Sequence, residues 1–98
     1  DAAGTRRLLR RSVELAREAT DGEPGRWVAA SVGPYGAMLA GGQEYTGEYA
    51  RPGAPGNLSV PELRAFHRPR LATLAEAAPD VLACETIPAA AEARTTIE

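Results

Sequence analysis

Residues 28–49 read VAASVGPYGAMLAGGQEYTGEY. The first five form an apolar run without strict alternation, the pattern of a strand buried on both faces as in a parallel sheet. At Gly33-Pro34 the run breaks into a glycine-bearing loop that carries Tyr35, Tyr45 and Tyr49 together with Glu44 and Glu48. The following RPGAPGN, residues 51–57, is too rich in proline and glycine for a regular element, so the loop is expected to span 33–58. Loops of that length with no structure of their own are uncommon in compact domains and are either functional or disordered.

Working outward, the strand is expected to start at Arg26 and end at Val32, after a DGEPG turn at 21–25. Before it, TRRLLRRSVELAREAT (5–20) places Leu8, Leu9, Val13, Leu15 and Ala16 at helical spacing, with Thr5 as a possible N-cap. After the loop, Ser59 and Glu62 have the S-x-x-E spacing of a capping box, and Pro61 sits in a first turn where its missing N–H costs nothing. A helix is expected from there to about Ala78, with Leu63, Phe66, Leu71, Leu74 and Ala75 as its apolar stripe and Pro69 kinking or weakening its middle. DVLACETIP (80–88) reads as a second buried strand ending near Thr86, and AAAEARTTIE opens a third helix. Strand, crossover helix and strand make a right-handed βαβ unit with parallel strands. In α/β folds ligands bind at the C-terminal ends of strands, which here are Ser31–Tyr35 and Cys84–Pro88.

The chain has 98 residues, a length for one small domain, and an apolar fraction of 44% that fits a globular protein. Much of that fraction is alanine, so the chain buries little area per residue and is marginal alone. The net charge of −2 gives no electrostatic case for nucleic acid or an anionic membrane. No apolar run approaches the roughly 20 residues of a membrane span. All basic residues are arginine, which excludes lysine Schiff bases and the P-loop lysine. A single cysteine, Cys84, argues against a disulfide framework and fits a reducing compartment, the cytoplasm. There is no initiating Met and no leader, and both ends fall in or beside helical patterns, so the sequence reads as an excerpt.

Glu85 is the sharpest single residue, a carboxylate following VLAC in an otherwise apolar run. At a strand's C-terminal end it either takes a cationic group of a ligand, acts as a base with a raised pKa, or pairs with a neighbouring arginine. In SVGPYG, Gly33 and Gly36 allow close backbone approach and Ser31 offers a hydroxyl, or the block is simply a tight turn. It is neither a P-loop nor a dinucleotide fingerprint. His67, the only histidine, has no second ligand at metal spacing and reads as a packing or surface residue. Cys84, inside a strand, reads as a small buried hydrophobe. Tyr45 and Tyr49, with Glu44 and Glu48, either line a lid or lie on the surface.

Three blocks in order, VAASVGPYGAMLAGGQEYTGEY, LSVPELRAFHRPRLATL and DVLACETIP, together resemble the homocysteine S-methyltransferase family over about Trp27–Pro88. The resemblance implies an α/β section of a (β/α)8 TIM barrel, about two βα units with parallel strands, the barrel not complete in this chain. Residues 1–98 would then be a single partial domain, an inner section of the homocysteine-binding barrel. The implied reaction transfers a methyl group from S-methylmethionine or S-adenosylmethionine to homocysteine, giving methionine. The partners are those small molecules. In the family a zinc ion holds the homocysteine thiol as a thiolate, and its ligands are cysteines in later segments. Cys84 matches none of them. The glutamate of CET matches a position that resembles the binder of the homocysteine amino group, so that role is carried to Glu85, with Thr86 beside it. Ser31, Gly33 and Tyr35 are the further pocket residues that the resemblance implies, and no catalytic or metal residue falls in the segment. The piece alone is expected to be inactive. The competing reading is a truncated, non-catalytic α/β scaffold or small-molecule-binding remnant.

Overall fold

Aspartate is among the strongest N-caps, and the first helix starts on one. The Asp1 carboxylate accepts the Gly4 amide at 2.6 Å, and α1 runs Ala2–Thr20. Thr5 therefore lies inside the first turn, its hydroxyl on the Asp1 carbonyl, and is not the cap. A computed structural model describes residues 1–98. Of the apolar stripe on α1 only Val13 is buried, whereas Leu8 and Leu15 are exposed.

Two strands follow, β1 (Ala29–Val32) and β2 (Val81–Cys84), which pair in one sheet. The Asp80 and Val81 amides donate to the Val28 carbonyl and the Glu85 amide to that of Val32, so the register advances in the same direction on both strands. The strands are parallel, as the element order requires. They are shorter than the apolar runs containing them. Burial on both faces is not met in this chain: Ala30 and Val32 are buried but Ala29 and Ser31 are exposed. On β2, Val81 and Leu82 are 40% and 38% exposed. A sheet of two strands covers one side of β1 and leaves β2 largely open.

The segment 33–58 is not structureless. It holds α2 (Tyr35–Leu39), α3 (Gln43–Thr46) and a 3₁₀ turn at Glu48–Ala50, joined at residues of positive φ including Ala40, Gly42 and Gly47. Helix α4 covers Val60–Glu76 and opens on the expected box. The Ser59 amide donates to the Glu62 carboxylate at 2.7 Å, and the Glu62 amide approaches the Ser59 hydroxyl at 3.4 Å. The last helix, α5, is Ala90–Ile97. On α4, Leu63 and Leu74 are buried and Phe66 and Leu71 half-buried, but Ala75 is exposed while His67 and Thr73 are buried instead.

The chain divides into two compact units, Asp1–Ser31 with Pro69–Ala83 and Val32–Arg68 with Cys84–Glu98. The division within α4 falls at Pro69, where the missing N–H removes one rung of the helical ladder. In the second unit Tyr49, Ala50 and Leu63 form the core, with Tyr35, Leu58 and Ala89 packed against it. In the first unit Asp80 closes the start of the strand pair. Its Oδ2 accepts the Val28 amide at 2.6 Å and the Arg17 guanidinium at 2.8 Å, while Arg17 also reaches the Ala78 carbonyl.

The Val28 amide, and after it Arg17, hold the Asp80 carboxyl below its ordinary value. A carboxyl with a depressed folded-state pKa stabilises the fold fully above its unfolded value, about pH 4, and loses that contribution as pH falls through the folded value. Thermal melts from pH 7 down to pH 2 should therefore show Asp80→Asn melting below the parent at neutral pH, with the two converging in acid. Parallel curves across the range would remove this role.

Candidate functional site

Glu85 lies one residue beyond β2, and its amide is bonded to the carbonyl of Val32, the last residue of β1, at 3.2 Å. This puts it at the C-terminal ends of the parallel strands, the edge where α/β sheets bind ligands. Gly33, Tyr35, Glu85 and Thr86 all belong to the second unit, whereas Ser31 belongs to the first and is exposed on β1. Glu85 and Thr86 are exposed, and Gly33 and Tyr35 half-buried. Thr86 has φ 56, a left-handed conformation that a β-branched side chain rarely adopts. Cys84 is exposed on β2, so the reading of it as a buried hydrophobe is corrected. The strand end is open there because no further strand covers it.

The tightest polar cluster of the second unit lies behind this edge, on a residue that sequence reasoning passed over. Glu92, in the first turn of α5, is fully buried. Its Oε1 accepts the Tyr35 amide at 2.6 Å and lies 2.7 Å from His67 Nε2. Its Oε2 accepts the Tyr49 hydroxyl. Burial, and after it the hydrogen bond to Glu92, push the Tyr49 hydroxyl well above its ordinary pKa. His67 is fully buried, a packing histidine with a definite partner, while its Nδ1 has none. The rings assemble around the cluster: Tyr35 stands 5.5 Å from Tyr49 and 4.9 Å, edge to face, from Phe66.

The two loop tyrosines separate. Tyr49 is core, and Tyr45 is 75% exposed. Gly36 shows why the turn is glycine. A Cβ there would lie 2.5 Å from Tyr49 Cε1 and 2.6 Å from the backbone of Gln43 and Glu44. Gly47, at φ 65, brings its backbone against Pro88, whose Cγ would lie 3.2 Å from a Cβ.

No group of three or more His, Cys, Asp or Glu side chains in these residues is arranged to hold a metal ion. Cys84 is single and exposed, and His67 is committed to Glu92. The donor set does not fit the zinc that the resemblance implies, and no chemical step is assigned to a metal here.

A parallel strand pair joined through helices, with a carboxylate just beyond its C-terminal edge, makes this an α/β chain. Comparison with known proteins narrows this. The family model for homocysteine S-methyltransferase matches residues 2–98. The chain belongs to that family. It is 47% identical to homocysteine S-methyltransferase YbgG of Bacillus subtilis, covering 97% of this chain and 31% of that protein. It is 46% identical to homocysteine S-methyltransferase of Escherichia coli, covering 90% and 28%. It is also 46% identical to homocysteine S-methyltransferase 1 of Arabidopsis thaliana, covering 93% and 30%. The metallated form of the homocysteine methyltransferase MmuM from Escherichia coli superposes with a TM-score of 0.82 at 44% identity, over 97% of this chain and 33% of that one. The chain thus spans about a third of the length of the relatives it matches.

Substituting Gly36 forces a backbone shift, because two of the three close neighbours are main-chain atoms. Gly36→Ala should lose about 1–3 kcal/mol of stability, as overpacking does in a filled core. Chemical denaturation of the variant checks this. A midpoint equal to the parent's would show that the turn re-packs freely.

Proposed function

We propose that these residues are part of a homocysteine S-methyltransferase whose catalytic face includes the strand ends at Val32 and Cys84. The observation that carries this reading is the family match over residues 2–98, with relatives of that name at 46–47% identity along nearly the whole chain. In this reading the chain is an inner section of one (β/α)8 barrel, and the further βα units cover the open β2. The long segment after β1 is a βα loop on the face where such barrels build their sites.

The reaction is a methyl transfer between sulfurs. The homocysteine sulfur forms a bond to the methyl carbon of a sulfonium donor, S-methylmethionine or S-adenosylmethionine. The donor's methyl–sulfur bond breaks, its electron pair stays on the leaving thioether, and the thiol proton is released. A zinc ion, were the full-length protein to hold one through residues outside these, would supply activation of the thiol, and no step here is routed through it. Within them, Glu85 takes the homocysteine ammonium. Gly33, Tyr35 and Thr86, all of the second unit, line the substrate pocket. The single cysteine and the absence of a helix long and apolar enough to cross a membrane are compatible with a cytoplasmic enzyme acting on small molecules.

The full-length protein should form methionine from homocysteine with one of the two donors, and the preferred donor follows from comparing them. Glu85→Gln keeps shape and hydrogen bonding but removes charge. Leaving a partly desolvated ammonium unpaired costs a few kcal/mol, so KM for homocysteine should rise roughly 10- to 1000-fold. Zinc content should not change. A variant that loses zinc, or melts early while binding homocysteine normally, would show that Glu85 is structural.

A further inference from the structure

Three remote stretches converge on the Glu92 carboxylate: the turn after β1 through the Tyr35 amide, the 3₁₀ turn of the same loop through the Tyr49 hydroxyl, and α4 through His67. All lie in the second unit. Taking a carboxylate out of water is costly, and well-packed apolar residues often do as well or better for stability. Stability is therefore a weak explanation for a fully buried Glu–His pair. What the carboxylate does that an apolar side chain cannot is fix a main-chain amide. Tyr35 is two residues from Gly33 and three from Val32, whose carbonyl receives the Glu85 amide. The clamp therefore acts on the same short turn that leads from the binding edge.

We propose that Glu92 is a positioning residue: its buried carboxylate, oriented by His67, locks the loop after β1 through Tyr35 and Tyr49 in the geometry that homocysteine binding requires. Its bearing on homocysteine rests on the function proposed above. The clamp itself rests only on the hydrogen bonds. Glu92 does not touch substrate in this account. It acts through the backbone of the turn.

The test uses the full-length protein. Tyr49→Phe removes one hydroxyl and keeps the ring against Tyr35, so it is the variant least prone to misfold. Glu92→Gln keeps an acceptor for Tyr35 and His67 but loses the charge. Backbone amide exchange in segment 33–50 should speed up roughly 10-fold in both, with α1 unaffected, as expected for the loss of one charge-assisted hydrogen bond. KM for homocysteine should rise about 10-fold while kcat stays within about 3-fold. His67→Gln, which keeps an N–H near the Nε2 position, should recover most of what His67→Leu loses. Unchanged exchange in 33–50 in a folded variant overturns the clamp. A lower melting temperature with faster exchange but an unaltered KM overturns its link to binding. If the parent turns over no homocysteine, the proposed function fails, and the exchange data alone decide the clamp.

Discussion

The second unit is organised around one buried carboxylate. Glu92 has no exposed surface, so every lone pair facing a donor must be used inside the protein. The Tyr35 amide and His67 Nε2 against Oε1 and the Tyr49 hydroxyl on Oε2 meet that demand. Removing any of them leaves a charge or a donor buried without a partner, at roughly 1–3 kcal/mol for a neutral group and more for an ion. This constraint spreads outward. Tyr35 must present its amide inward, which sets the start of α2. Tyr49 must bring its hydroxyl to the same point, which fixes the 3₁₀ turn at Glu48–Ala50. The Tyr49 ring then occupies the space beside Gly36, and no side chain fits there.

The first unit is held differently. Asp80 ties α1 to the beginning of the strand pair through Arg17 and the Val28 amide, but both charged side chains are well exposed. Exposed ion pairs contribute little and are screened by salt. The backbone amide on Asp80 is the more durable contact, because it closes the strand register whatever the guanidinium does. The apolar stripe of α1 adds little here, with Val13 alone buried. The contrast matches the sequence: small alanines and exposed arginines in one unit, and most of the aromatic residues in the other.

The parts of this arrangement that depend on short-range pattern could be read in the sequence. The parallel pair follows from two apolar runs separated by a helix, and the start of α4 follows from Ser59 and Glu62, whose spacing alone brings their groups together. The position of Glu85 at the strand edge follows in the same way. Glu92 did not follow. AAAEARTTIE resembles a solvent-facing helix start, where an acidic residue in the first turn is ordinary. Its burial depends on Tyr35, Tyr49 and His67, which lie 57, 43 and 25 residues away. One signal was present: Ala89 supplies no side-chain cap to α5, so an acidic residue three positions later had no capping box to join. Coupled with a lone histidine beside Phe66, that unused carboxylate was the available hint.

Thr86 shows a second limit of the same kind. Nothing in CETIP marks a left-handed residue, and a β-branched side chain at φ 56 costs on the order of 1–3 kcal/mol. Such a conformation persists only where neighbours on both sides fix it. On one side the Glu85 amide is held by the Val32 carbonyl, and on the other Pro88 packs against the Gly47 backbone. Pro88 has a restricted φ of its own, so the residues between these two anchors have little freedom to relax. The reversal at Thr86 therefore follows from the anchors and not from the preference of threonine. The anchor at Gly47 lies in the same loop segment, two residues before the hydroxyl held by Glu92. Strain at the strand end and the buried carboxylate are thus linked through one short piece of chain, and the conformation of the candidate binding edge depends on both.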